Sequence, residues 1–170
     1  IPMVALFPYT PKNKKDLTGS EALNENNLIC KSLRKIKKKY KGIGVMCDVA
    51  LDPYTSHGHD GVMNKNKILN DRTIEILSKQ SILQAQMGCD VISPSDMMDG
   101  RIGVIRKALD RNNFQDVMVS SYAVKYASNF YGPFRDAVGS KNLLKGDKKT
   151  YQMDYRNSDE ALREVGLDIK

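Results

Sequence analysis

The stretch IGVMCDVAL, residues 43–51, decides how this chain folds. It is rich in Val, Ile and Leu, and a polar turn follows it, DPYTSHGHDG at residues 52–61. Strands with one wet face alternate apolar and polar residues. A nearly continuous apolar run instead fits a parallel strand covered on both faces. Comparable runs recur outward from it. VALF (4–7), CDVISPSD (89–96), VMVSSYA (117–123) and TYQMD (150–154) are each bounded by polar or glycine-containing turns, and each predicts a strand.

Helical patterns lie between them. In residues 71–88, Ile74, Leu77, Ile82, Leu83 and Met87 return on a helical period, and Gly88 stands where a C-cap belongs. Residues 101–113 and 158–170 behave likewise, with Ser158 and Asp159 as N-cap residues of the last helix. Strand–helix alternation gives βαβ units, in an open sheet or a barrel. No GxGxxG or phosphate loop follows any strand, which removes the usual nucleotide-binding signatures. Polar residues gather instead at the C-terminal ends of successive strands: Asp48 and Asp52, Ser95 and Asp96, then Lys125. That favours a (β/α)8 barrel, whose active site collects such ends on one face. Five strands do not close eight, and such barrels take about 250 residues. The expected class is therefore α/β, a partial (β/α)8 TIM barrel with about five of the eight strands. It forms one incomplete catalytic domain over residues 1–170, cut at both ends.

Composition sets outer bounds. The 170 residues are 41% hydrophobic and 28% charged, ordinary for a globular protein. No apolar run approaches the roughly 18 residues that span a bilayer, so no membrane association is expected. The opening IPMVALFPYT lacks a basic leader and reads as a strand with sequence expected upstream of it. Much of the +7 net charge sits in KSLRKIKKKYK, residues 31–41, where Leu33, Ile36 and Tyr40 mark one buried stripe. A solvated basic helix face is the plain reading. A nucleic-acid surface through Lys35, Lys37, Lys38 and Lys39 is the alternative of a different class, and no stacking aromatics or nucleic-acid motif support it. Cys30, Cys47 and Cys89 show no paired spacing, which suggests buried, reduced thiols in a reducing compartment.

Residues 119–136, VSSYAVKYASNFYGPFRD, carry the chemistry. Lys125 stands just past a strand among Tyr122, Ala123, Val124 and Tyr126. An apolar collar of that kind disfavours the ammonium form, and a neutral amine can attack a ketone to form a Schiff base. The plain alternative is a snorkelling surface lysine. Arg135 follows a YGPF turn, and Lys148, Lys149 and Gln152 lie downstream. The connection 128–149 is long enough to be an active-site lid. Cations on it suit a carboxylate-bearing substrate, Arg135 by paired hydrogen bonds and Lys148 as a point charge.

In this order and spacing, DVALDPYTSHGHDG, ISPSDMMDGR, SSYAVKYASNFYGPFRDA and GDKKTYQMD closely resemble porphobilinogen synthase, the delta-aminolevulinic acid dehydratase family. The resemblance runs over essentially the whole chain. It implies a lyase on a TIM barrel with an N-terminal arm, usually a homooctamer, that condenses two molecules of 5-aminolevulinate to porphobilinogen in heme biosynthesis. Lys125 is then one of two Schiff-base lysines. The other belongs to an MVKP strand beyond Lys170, so the segment by itself is expected to be inactive. Arg135, Lys148 and Gln152 match substrate-carboxylate contacts, while Asp48 and Ser95 match polar residues at the floor of the site. In zinc-dependent relatives three cysteines stand where Ala50, Asp52 and Asp60 stand here. Zinc is therefore not expected, His57 and His59 are weak candidates for it, and the aspartates suit a labile hard cation or no metal at all. Glu164 matches the glutamate that holds an allosteric magnesium through waters in bacterial and plant members. The magnesium-type pattern points to a plastid, with the cytoplasm second. Another Schiff-base barrel, a class I aldolase, is the nearest enzyme alternative.

Overall fold

The computed structural model describes residues 2–137, 144 and 146–170. Four strands form its main sheet: β1 (Met3–Leu6), β2 (Gly44–Val49), β5 (Val91–Pro94) and β6 (Met118–Val119). All three pairings are parallel and the order is β1-β2-β5-β6. Spatial order thus follows chain order without reversal. A doubly wound sheet reverses at its switch point, whereas a barrel adds each strand beside the last. The sheet is a run of consecutive barrel strands.

The crossovers carry α1 (Leu28–Lys39), α2 (Asn70–Gln86) and α3 (Arg101–Arg111). On β2 the side chains divide as period-two geometry requires. Val45, Cys47 and Val49 are fully buried in the core cluster with Leu33, Leu77, Ile92, Ile105 and Leu109, while Asp48 projects from the opposite face. Leu33 and Ile29 enter that core from α1, leaving Lys35, Lys38 and Lys39 exposed. Lys37 is ion-paired with Asp90 at 2.8 Å. The solvated basic face is what the helix presents. The three cysteines are buried and unbridged. No helix among the described residues is long and apolar enough to cross a membrane.

Three local readings change. TYQMD is not a strand. Tyr151 and Gln152 donate their N–H groups back to the Lys148 carbonyl at 3.2 and 2.8 Å, curling the segment into a turn. Only Met153 pairs as a strand would, by an isolated parallel bridge to Tyr126 outside the main sheet. The physical reason is that the Lys148 and Tyr151 side chains are drawn inward to buried aspartates, described below. Second, α5 (Ser158–Ile169) is capped by Asn157, whose side chain accepts from the Glu160 N–H, and not by Ser158 or Asp159. Third, a short antiparallel hairpin, β3 (Met63–Asn64) with β4 (Lys67–Ile68), precedes α2. Its signal was NKNK, whose Lys65 adopts φ +55 in the turn. Gly88 ends α2 as expected, at φ +97. Gly61, closing the aspartate turn, is a fixed position too: a Cβ there would meet Thr73 Oγ1 at 2.7 Å and Ile68 at 2.9 Å.

Beyond Ala123 the chain runs through Lys125 to α4 (Gly132–Ala137). Phe134 of α4 packs edge-on against Phe7 after β1, with ring centroids 5.4 Å apart. The lid expected over 128–149 falls partly outside the described residues.

Candidate active site

The C-terminal ends of β2 and β5 and the segment after β6 bring Asp48, Asp52, Asp60, Ser95 and Lys125 together with Lys148 from the later turn. Lys125 is buried, so it is not a snorkelling surface lysine. Its surroundings also differ from an apolar collar. Nζ donates to the Ser95 carbonyl at 2.6 Å and lies 3.8 Å from Asp60 Oδ1. The rings of Tyr122 and Tyr131 stand 6.0 and 5.6 Å away, and Val124 faces outward. Alternation along the extended chain sends Val124 and Lys125 to opposite sides.

Ser95 links Lys125 to Asp48, because its Oγ donates to Asp48 Oδ1 at 2.6 Å. Burial pushes the Asp48 carboxyl up to about 7, helped by the charge of Asp52 and opposed by Ser95 and Lys125. A carboxyl near neutrality exchanges protons readily at physiological pH. Asp48 is thus poised as an acid–base group one serine away from the amine.

Lys148 sits between two carboxylates, 3.2 Å from Asp52 Oδ2 and 2.6 Å from Asp60 Oδ2, and is itself buried. Burial disfavours its charge, but the two aspartates more than offset this and hold it firmly as ammonium. Burial likewise raises both aspartates. At Asp60 the charges of Lys148 and Lys125 outweigh it and hold the carboxyl below its ordinary value. At Asp52 burial and the neighbouring Asp60 prevail, and its carboxyl is raised. The Tyr151 hydroxyl donates to Asp60 Oδ2 at 2.8 Å and also lies 3.0 Å from His59 Nδ1. Sequence reading missed Tyr151. Its signal was a tyrosine next to Gln152 in a segment expected to be buried, since a buried phenol needs a partner for its hydroxyl.

The same geometry shows what surrounds the positions considered for a metal. An ammonium already occupies the position between Asp52 and Asp60, and Ala50 has no donor. This donor set therefore does not fit a divalent ion. His57 Nδ1 accepts from the His59 N–H at 3.2 Å and its Nε2 meets the Leu17 carbonyl at 3.3 Å, so this imidazole ties the turn to the segment after β1. Among the described residues no group of three or more His, Cys, Asp or Glu is placed to hold a metal. Glu164 is half-buried on α5 and offers one carboxylate.

Gln152 is buried, and its Oε1 has no hydrogen-bond partner among the described residues. Arg135 lies half-buried on α4 and makes no ion pair among the described residues. Asp96 and Arg101 form a further buried ion pair below the site, and burial pushes the Asp96 carboxyl up to about 6 against the pull of Arg101.

Comparison with known proteins gives a consistent result. The family model described as delta-aminolevulinic acid dehydratase matches residues 1–170. The delta-aminolevulinic acid dehydratase of Bradyrhizobium diazoefficiens is 60% identical over 169 residues, covering 99% of this chain and 48% of that protein. The chloroplastic enzyme of Glycine max is 54% identical over 166 residues, covering 97% of this chain and 40% of that one. Among solved structures, the Toxoplasma gondii ME49 delta-aminolevulinic acid dehydratase in complex with porphobilinogen superposes with a TM-score of 0.95 at 45% identity. That match covers 97% of this chain and 47% of that one. The chain spans about half the length of the relatives it matches, or less.

Proposed function

The chain belongs to the delta-aminolevulinic acid dehydratase family, and we propose that it contributes one Schiff-base lysine and the floor of a site that condenses two molecules of 5-aminolevulinate to porphobilinogen. The observation that carries this reading is the buried amine of Lys125 at a strand end, joined through Ser95 to the buried carboxyl of Asp48, which burial pushes up to about 7. The amine nitrogen adds to the substrate ketone, giving a carbinolamine. Loss of its hydroxyl as water, with a proton supplied by Asp48, leaves the imine, whose positive charge faces Asp60. Arg135 and Gln152 take the substrate carboxylate, and Lys148 reaches it only from its seat between Asp52 and Asp60.

Finer features of the proposal concern assembly and compartment. Glu164 would hold a magnesium ion at an interface between subunits of a homo-oligomer, an octamer by family resemblance. Exposed Leu162, Leu167 and Ile169 on the same helix support an interface there. The metal would tune assembly and take no part in the chemistry. Chloroplastic relatives support a plastid location, and the bacterial relative supports the cytoplasm as the alternative.

Borohydride reduction in the presence of 5-aminolevulinate tests the central reading in the full-length gene product. Peptide mapping should find reduced substrate on Lys125 or on a partner lysine, and Lys125→Met should abolish turnover. An adduct on neither lysine, or undiminished turnover in the variant, would reject it.

A further inference from the structure

The turn SDMMDGR, residues 95–101, holds a buried ion pair that the chemistry above leaves without a role. Asp96 and Arg101 are almost wholly shielded from solvent, with Arg101 Nε 3.4 Å from Asp96 Oδ1. Neither of these two atoms makes a hydrogen bond among the described residues. The remaining guanidinium nitrogens are engaged elsewhere: Nη1 donates to the Met98 carbonyl at 3.3 Å, and Nη2 to the Tyr122 carbonyl at 3.1 Å. Nη2 also lies 3.6 Å from Met97 Sδ. Asp96 Oδ2 accepts the Met98 N–H at 2.8 Å, closing a turn in which Met97 adopts φ +68. A residue that carries a Cβ is disfavoured in that left-handed region and stays there only where its surroundings over-determine it.

We infer, on the reading of Lys125 as the amine nucleophile, that Asp96 and Arg101 are positioning residues for it. The segment delivering Lys125 leaves the sheet at Tyr122, whose N–H still reaches the Pro94 carbonyl at 3.3 Å. The Tyr122 carbonyl is taken by Arg101. The Tyr122 ring then walls Nζ at 6.0 Å, and Ser95, the neighbour of Asp96, supplies the carbonyl on which Nζ rests at 2.6 Å. One buried ion pair therefore fixes both the course of the chain into Lys125 and the acceptor of its amine. The planar fork of a guanidinium serves acceptors in several directions, which a lysine's point charge cannot do. Small displacements of a reacting group carry large rate effects, about 100-fold for an ångström.

The test uses Arg101→Lys and Asp96→Asn in the full-length gene product, with 5-aminolevulinate as probe. Each variant should lower kcat by about 10- to 100-fold while KM changes less than about threefold, and borohydride trapping on Lys125 should slow by the same factor as kcat. A mere loss of folded protein lowers the amount of trapped adduct but not its rate constant. If both variants trap substrate on Lys125 at the wild-type rate, the positioning role is wrong although Lys125 remains the nucleophile. If the wild-type protein forms no adduct on Lys125, the underlying reading falls and the inference with it. Should Arg101→Lys not fold, Asp96→Asn decides alone, since its amide oxygen still accepts the Met98 N–H and keeps the turn.

Discussion

Replacing Lys148 by methionine removes the cation between Asp52 and Asp60 while keeping similar bulk. At the observed separations of 2.6 and 3.2 Å and an effective dielectric of about 20, the lost attractions are roughly 6 and 5 kcal/mol before desolvation is counted. Desolvating the ammonium cancels much of this, and removing one partner of a buried pair typically costs about 3–5 kcal/mol. The sign with pH follows from the carboxylates. Without Lys148, burial and mutual repulsion raise both aspartates above the unfolded value near 3.9. The folded variant then binds protons that the unfolded chain does not. Its deficit is therefore full at alkaline pH and shrinks as pH falls toward the unfolded value. Denaturant unfolding at pH 8 and pH 5 should show a loss of about 3–5 kcal/mol at the first and clearly less at the second. The vacated position should also accept a hard divalent cation. Magnesium should raise the melting temperature of Lys148→Met by an increment that a second change, Asp60→Asn, removes. A loss below about 1 kcal/mol at pH 8, or one equal at both pH values, would refute the view that Lys148 neutralises this pair.

Asp48→Asn should reduce turnover about 100-fold or more and erase the limb of the pH–rate profile near 7. Because the wild-type carboxyl is raised, folding stability falls as pH climbs from about 4 to about 7; the asparagine variant should therefore be the more stable of the two at pH 8, by chemical denaturation. A zinc-selective chelator should leave activity largely intact, since Ala50, Asp52 and Asp60 present no thiolate; inactivation reversed by zinc alone would contradict this. Glu164→Ala should remove the response to magnesium in both activity and sedimentation, and an unchanged response in both would make Glu164 a simple surface carboxylate.

What the sequence determined is what short-range physics encodes. Continuous apolar runs marked β1, β2 and β5 because a doubly covered strand tolerates few polar side chains. The periodicity of α2 with Gly88 at its end located a helix and its stop, and the clustering of Asp48, Ser95 and Lys125 at the C-terminal ends of strands marked the chemical face. The family motifs then named the chemistry. Only the tertiary structure decided where the charges go. TYQMD has the composition of a strand, yet it curls, because Lys148 and Tyr151 are drawn to Asp60 across more than eighty residues of chain. Lys125 reads as a lysine in an apolar collar, yet its amine meets a carbonyl and a carboxylate brought from β5 and the aspartate turn. Asp52 and Asp60 read as weak candidates for a labile hard cation or for no metal at all, and the structure places the Lys148 ammonium between them. A charge's partner is set by distance in space and by burial. Both are properties of the packed chain, and neither is visible to residues that are neighbours only in sequence.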